Sequence, residues 1–255
     1  MRPSHEHEDG KLWLRQYGPA TPRAVRLICF PHAGGNATFF TPLTARMPAD
    51  LQVVGVQYPG RQDRHAEPPA DTIAELADRI AEVLRPAVTP MAFFGHSMGS
   101  VLAFEVARRL DAAGTPVTKI FVSARCAPSL YPRALANLTD DRAIMTELKQ
   151  LGGTQSVFFE DDELFQMVLP AIRSDYKAIR EYRCQAGVRI TPSITALMGD
   201  DDPHTTVTDM RAWADHTSGD FTLQVFSGGH FYLTEHLDEI AETLRSGLSE
   251  YIGKM

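Results

Sequence analysis

Short apolar runs alternate along this chain with longer stretches in which apolar residues recur at helical spacing. Val25–Phe30, Leu51–Val56, residues 91–94, 119–123 and 194–198, and Phe221–Phe226 are the short runs, each with few charges. That pattern predicts parallel strands covered on both faces. Between them, Ile73, Leu76, Ile80 and Val83 share one face of a helix predicted over 71–85. Thr72-Ile73-Ala74-Glu75 reads as its capping box and Pro86 as its stop. A second helix, predicted over 100–113, ends at Gly114 with Pro116 just beyond. Leu237, Ile240, Leu244 and Leu248 mark a last one. Strands alternating with helices imply βαβ units and an α/β fold around a mostly parallel sheet flanked by helices.

The rhythm breaks at about 126–189, where no strand is legible. Thr139-Asp140-Asp141 reads as a helix start, with Ile144, Leu148 and Leu151 on one face. A further helical stretch runs through Leu164, Val168, Ile172, Tyr176 and Ile179, with Pro170 as an expected kink. A structureless loop of this length is implausible in a compact domain. The segment is therefore expected to be a helical insertion over the C-terminal edge of the strands, where open α/β sheets place ligands. Residues 1–255 are expected to form one domain carrying it.

Composition changes this picture little. A chain of 255 residues with 44% hydrophobic residues supports a sizeable core, and a net charge of -7 argues against general nucleic-acid binding. Three scattered cysteines without a C-x-x-C pair argue against a disulfide framework or a zinc knuckle. No metal-ligand spacing, signal-peptide pattern or membrane-length apolar run is present, so no metal, no cofactor, no membrane and a cytoplasmic location are expected.

The candidate chemistry gathers at the ends of the apolar runs. Gly95-His96-Ser97-Met98-Gly99 lies between a predicted strand and a predicted helix, the context a G-x-S-x-G nucleophile elbow requires. Ser97 is the candidate nucleophile, and a serine hydroxyl needs a base. His230, in Ser227-Gly228-Gly229-His230-Phe231, follows Phe221–Phe226 and precedes the last helix, in a loop able to reach the elbow. His216 and His236 fall in helical patterns and read as surface residues, while His204 sits too close to the candidate acids. Those acids are Asp200, Asp201 and Asp202, which follow run 194–198. Their spacing alone leaves all three open. An acyl transfer also needs two backbone N–H donors for the oxyanion. Met98 follows the nucleophile, and Ala33 sits in Phe30-Pro31-His32-Ala33-Gly34-Gly35, which is similar to the HGGG-type loop of esterases.

These motifs occur together with Tyr58-Pro59-Gly60-Arg61, Ser123-Ala124-Arg125 and Gly199-Asp200-Asp201-Asp202-Pro203, in this order. The set resembles type II thioesterases, the free-standing editing enzymes of modular polyketide and nonribosomal peptide synthases, over nearly the whole chain. Ala124 stands where that pattern often has glycine. The resemblance implies an α/β-hydrolase fold with a flexible helical lid. It implies release of aberrant or stalled acyl groups from the phosphopantetheine arm of acyl or peptidyl carrier proteins. It places the acid directly before the proline, at Asp202. A thiolate leaves more readily than an alkoxide or an amine, so a serine, a base and two donors suffice for the chemistry. Weaker expectations attach to His32, Phe39 and Arg61 as substrate contacts, Phe39 in an acyl pocket and Arg61 on a phosphate or an acidic carrier surface. The chain begins at Met1 with no D-S-L carrier site upstream, so a separate protein, expected to be a monomer, acting in trans fits the pattern. The rival readings are a general esterase or lipase, a thioesterase domain cut from a megasynthase, and a non-catalytic binding module on the same scaffold.

Overall fold

The computed structural model describes residues 10–18, 24–87, 89–131, 135, 138–152 and 162–252. Seven strands, β1 (Leu14–Gln16), β2 (Val25–Phe30), β3 (Leu51–Val56), β4 (Met91–His96), β5 (Val117–Ser123), β6 (Ser193–Gly199) and β7 (Phe221–Phe226), form one sheet in the order β1-β3-β2-β4-β5-β6-β7. All neighbours are parallel except β1, which pairs antiparallel with β3. The helices are α1 (Thr41–Thr44), α2 (Ile73–Leu84), α3 (Met98–Ala112), α4 (Asp141–Leu151), α5 (Asp162–Glu181), α6 (Val207–Arg211) and α7 (Leu237–Leu248).

Each strand residue's parity decides which layer it joins. In β2, Val25, Leu27 and Cys29 pack with Leu43 of α1 and Ile240, Leu244 and Leu248 of α7. Ile28 and Phe30 point the other way, toward Ile73, Leu76 and Ile80 of α2 and Val101, Leu102 and Phe104 of α3. Burying a Leu, Ile or Phe fully is worth about 1.5–3 kcal/mol, and most of these side chains are wholly out of water. Thr72 caps α2 by accepting from Glu75 N–H, and Asp140 caps α4 by accepting from Ala143 N–H, as the sequence predicts.

Two expectations need correction, on β7 and on His216, and one strand escaped the sequence pattern. β1 is too short to show a period in sequence. β7 is an edge strand, half-exposed along its length rather than covered on both faces. Helix α5 holds Pro170 in its interior, on its exposed side, with helix on both sides of it. His216 is buried in a 3₁₀ turn, its ring 5.5 Å from Phe104, with Nδ1 facing Val188 O and Nε2 facing Ser129 Oγ.

The connections decide where a site can form. The chain leaves β2 toward β3 on one side of the sheet and leaves β4 toward β5 on the other. The C-terminal ends of β2 and β4 therefore flank the topological switch point, the crevice of an open α/β sheet. The register brings Phe30 beside Gly95, His96 beside Ser123, Ser123 beside Leu197 and Gly199 beside Phe226. Every motif singled out in the sequence thus starts from one edge. Helices α4 and α5 are tied to that same edge. Glu147 of α4 pairs with His204 after β6 at 2.5 Å, and Asp175 of α5 accepts from Gly34 N–H after β2 at 2.7 Å.

Candidate active site

The turn between β4 and α3 is forced by packing. A Cβ on Gly95 would run into the carbonyl of Gly99, and one on Gly99 would run into the carbonyl of Phe30. Only glycine lets α3 start this close to β2 and β4. Ser97 between them has φ 53° and ψ -116°, a conformation costing a non-glycine residue about 1–3 kcal/mol. It is held there by its own N–H donating to Ser123 O at 2.8 Å and by Ser100 N–H donating back to Ser97 O at 3.0 Å. The Ser100 hydroxyl sits within reach of both Gly95 O and Ser123 O at 2.9 Å. Ser97 is half-buried while its neighbours are buried, so the turn pushes this one side chain outward. Helix α3 begins at Met98 and aims its positive N-terminal end at the same spot.

The acid and histidine loops interlock beyond β6 and β7. A Cβ on Gly199 would collide with the carbonyls of Gly228 and Gly229. Asp201 N–H donates to Gly228 O at 2.9 Å, and Asp200 Oδ1 accepts from Gly228 N–H at 2.9 Å. Asp200 and Asp201 thus splice the two loops, and Asp202 is left to face the imidazole. Its Oδ2 lies 2.9 Å from His230 Nδ1, with both side chains almost fully buried. His204 N–H and the Thr205 hydroxyl also donate to the Asp202 carboxylate, at 2.9 and 3.0 Å. Burial pushes that carboxyl up, but the bonds from His230, His204 and Thr205 outweigh it and leave it below its ordinary value. With Nδ1 engaged, Nε2 is the nitrogen His230 can offer a serine hydroxyl. The His230 ring lies 5.2 Å from that of His96, the residue before Ser97.

Behind the site, His96 Nδ1 meets Ser123 Oγ at 2.9 Å, and Ser123 Oγ meets the Tyr232 hydroxyl at 2.8 Å. Burial drives His96 well below its usual value, so it is a neutral fixture rather than a second base. His32 behaves likewise. Burial, with repulsion from His230 and Arg61, takes it down to about 3. Its ring is wedged against Phe39 and Phe231 at 4.6 and 4.9 Å.

Two cavities open from this edge. One of about 250 Å³ lies between α4, α5 and the body, lined by Gly34, Arg61, Leu148, Phe165, Val168 and Ile172. The other, of about 450 Å³, is lined by His32, Gly35, Phe39, Phe40, Leu233 and Leu237. His32 and Phe39 thus face a cavity, as a substrate contact requires. Arg61 also lines one, but its guanidinium has another partner. It is bound at both ends by Asp175, at 2.7 and 2.9 Å, and donates to Gly35 O at 3.1 Å. Its charge is spent inside the fold, not on a phosphate. Sequence reasoning did not find Asp175, which sits on α5 and is 114 residues from Arg61.

The family model for a thioesterase domain matches residues 25–248. The chain belongs to the thioesterase family. Among its relatives, thioesterase PikA5 of Streptomyces venezuelae is 43% identical over 94% of this chain and 86% of its own length. The "Probable cadicidin biosynthesis thioesterase" of Streptomyces griseus is 48% identical over 91% of this chain, which spans 66% of that relative, just under two thirds. Among solved structures, the type II thioesterase BorB from the borrelidin biosynthetic cluster superposes with a TM-score of 0.85 at 49% identity, covering 93% of this chain and 98% of that one. As a thioesterase, this chain is a serine hydrolase of α/β-hydrolase fold acting on thioesters. No helix among the described residues is long and apolar enough to cross a membrane.

Proposed function

We propose that this thioesterase removes aberrant or stalled acyl groups from the phosphopantetheine arms of acyl or peptidyl carrier proteins in a polyketide or nonribosomal peptide synthase. The observation that carries the mechanism is the buried Asp202–His230 pair beside the strained Ser97 elbow. The Ser97 oxygen attacks the thioester carbonyl carbon while its proton passes to His230 Nε2. The oxyanion that forms takes backbone N–H bonds from Met98 and Ala33. The tetrahedral intermediate collapses with rupture of the C–S bond, and the proton on His230 goes to the departing thiolate. Water then attacks the acyl-enzyme by the same route, releasing a carboxylic acid and restoring Ser97. Asp202 holds the imidazole in the tautomer both half-reactions use and stabilises its cation. The only phosphopantetheine needed is the arm the substrate brings.

Helices α4 and α5 act in this reading as a lid that shapes the acyl cavity and excludes water. The proposed weak point is Gly152-Gly153. Gly152 ends α4 at φ 72°, and Gly153 lies outside the described residues. The names of the relatives, which refer to cadicidin biosynthesis and to the borrelidin biosynthetic cluster, support carrier proteins as partners. The decisive test offers an acyl carrier-bound thioester and a free p-nitrophenyl ester of the same acyl group. Faster turnover of the carrier-bound substrate, abolished by Ser97→Ala, is expected. A preference for the free ester would point to a general esterase. Residual turnover above a tenth in Ser97→Ala would overturn the nucleophile, since loss of a triad serine costs about 10⁶.

A further inference from the structure

The loop expected to supply an oxyanion donor is not held by the sheet alone. His32-Ala33-Gly34-Gly35 forms a tight turn, closed by Gly35 N–H donating to His32 O at 2.9 Å, with Gly34 at φ 74°. A turn of this kind is stable only if its middle peptide keeps one orientation. Here that peptide's N–H, on Gly34, donates to Asp175 Oδ2 at 2.7 Å. At the end of the turn, Gly35 O accepts from Arg61, whose guanidinium is gripped by the same carboxylate. Asp175 is 1% exposed and Arg61 6%, so neither trades these bonds for water while α5 is docked. Asp175 belongs to the insertion; every other member of this cluster belongs to the body.

We infer that Asp175 is a positioning residue, its carboxylate on α5 holding the His32–Gly35 turn so that the oxyanion donor is in place only while the insertion is docked. The inference rests on the proposed thioester hydrolysis and adds a link between lid and chemistry. An undocked lid leaves Gly34 N–H unanchored, the turn loosens, and the oxyanion is poorly met. A misplacement of about 1 Å is worth roughly 10²-fold in rate, so opening the lid would switch off hydrolysis as well as admit substrate.

Removing Asp175 alone would strand the buried Arg61 charge and could unfold the chain, so the test compares two double variants. Arg61→Met with Asp175→Ala has no acceptor for Gly34 N–H. Arg61→Met with Asp175→Asn keeps a carbonyl there, and both have lost the ion pair equally. With acetyl- and octanoyl-N-acetylcysteamine thioesters, the alanine double should show kcat about 10- to 100-fold below the asparagine double. KM should match, and the deficit should be the same for both acyl lengths. Equal kcat in the two doubles, a deficit in KM, or one confined to the octanoyl substrate would overturn the inference and leave α5 a pocket wall only. If either double fails a urea-melt check of folding, the wild-type protein decides. The Gly34 amide should exchange with deuterium at least 100-fold more slowly than an open peptide, and exchange at the open-peptide rate refutes the tether. Protection of Gly34 in a wild-type protein that hydrolyses neither thioester would instead count against the proposed function.

Discussion

Asp202→Asn is the most discriminating single change. The carboxylate is buried and 2.9 Å from His230 Nδ1, so it requires an N–H there and leaves Nε2 basic. An amide in its place can present its own N–H to Nδ1, which turns the imidazole into the tautomer whose proton sits on Nε2. A base in that state cannot take the Ser97 proton. Loss of this kind lowers kcat by about 10⁴ in a serine triad, or about 5.4 kcal/mol at 1.36 kcal/mol per decade. Folding should survive, because the amide oxygen still accepts from His204 N–H. Asp200→Asn provides the control, since its retained oxygen still accepts from Gly228 N–H, and it should stay within a few-fold of wild type. The assay is thiol release from an acyl-N-acetylcysteamine substrate, alongside urea unfolding of each variant. If Asp202→Asn keeps more than a tenth of wild-type kcat, or Asp200→Asn is the more damaging of the two, the assignment of roles in this turn is wrong.

Other outcomes follow from packing and charge. Gly99→Ala places a methyl against the Phe30 carbonyl; it should cost about 3 kcal/mol or more in urea unfolding, and a loss below 1 kcal/mol would mean the elbow has room. His32 is neutral in the fold down to about pH 3 against an unfolded value of 6.5, so the unfolded chain takes up the extra proton and stability falls as pH drops from 6.5 toward 3. His32→Leu should flatten the slope of unfolding free energy over that window by about 1.4 kcal/mol per pH unit, and an unchanged slope would show that His32 is not what the acid limb reports. Val168→Trp narrows the cavity under α5 and should lower the octanoyl-to-acetyl rate ratio at least several-fold; an unchanged ratio would separate that cavity from acyl selection.

What was legible in the sequence was what is local. The elbow, the His32–Gly35 turn and the Asp-rich turn each sit within a few residues of a strand end, and their chemistry follows from that position. The choice of Asp202 among three aspartates needed coordinates or a resemblance, because it depends on which of them the junction of two loops leaves facing His230. Asp200 and Asp201 are engaged through Gly228, a contact made across the sheet. The buried role of His216 was hidden for a similar reason. Its burial comes from Phe104 and Trp213 packing over a 3₁₀ turn, not from any period in its own segment. The Arg61–Asp175 pair is the extreme case. An aspartate on an amphipathic helix and an arginine after a strand both look like solvated charges until the insertion folds back over the edge.

That fold-back also explains why the insertion need not carry a catalytic group to matter. Its two named ties reach opposite halves of the site. Asp175 grips the turn after β2, and Glu147 pairs with His204, whose ring lies 5.5 Å from that of His230 and whose N–H is bonded to Asp202. An isolated surface ion pair contributes little, but Asp175 and Arg61 are buried, and breaking one partner of such a pair costs about 3–5 kcal/mol. That cost belongs to deleting a partner in place, which strands the other charge, whereas lifting α5 would return both charges to water. The structure has α5 docked, with Asp175 and Arg61 paired beneath it. A long acyl chain buried against Leu148, Val168 and Ile172 gains about 0.8 kcal/mol per CH₂, and because those residues face the body only with α5 in place, that burial should reinforce the docked state. Comparing the two tethers then predicts an order of effects. Glu147→Gln, which loosens only the partly buried pair, should change the acyl-length dependence of KM with little change in kcat. A fall in kcat as large as that of the Arg61/Asp175 alanine double would mean that the acid loop, and not the turn after β2, is the part of the site most sensitive to the lid.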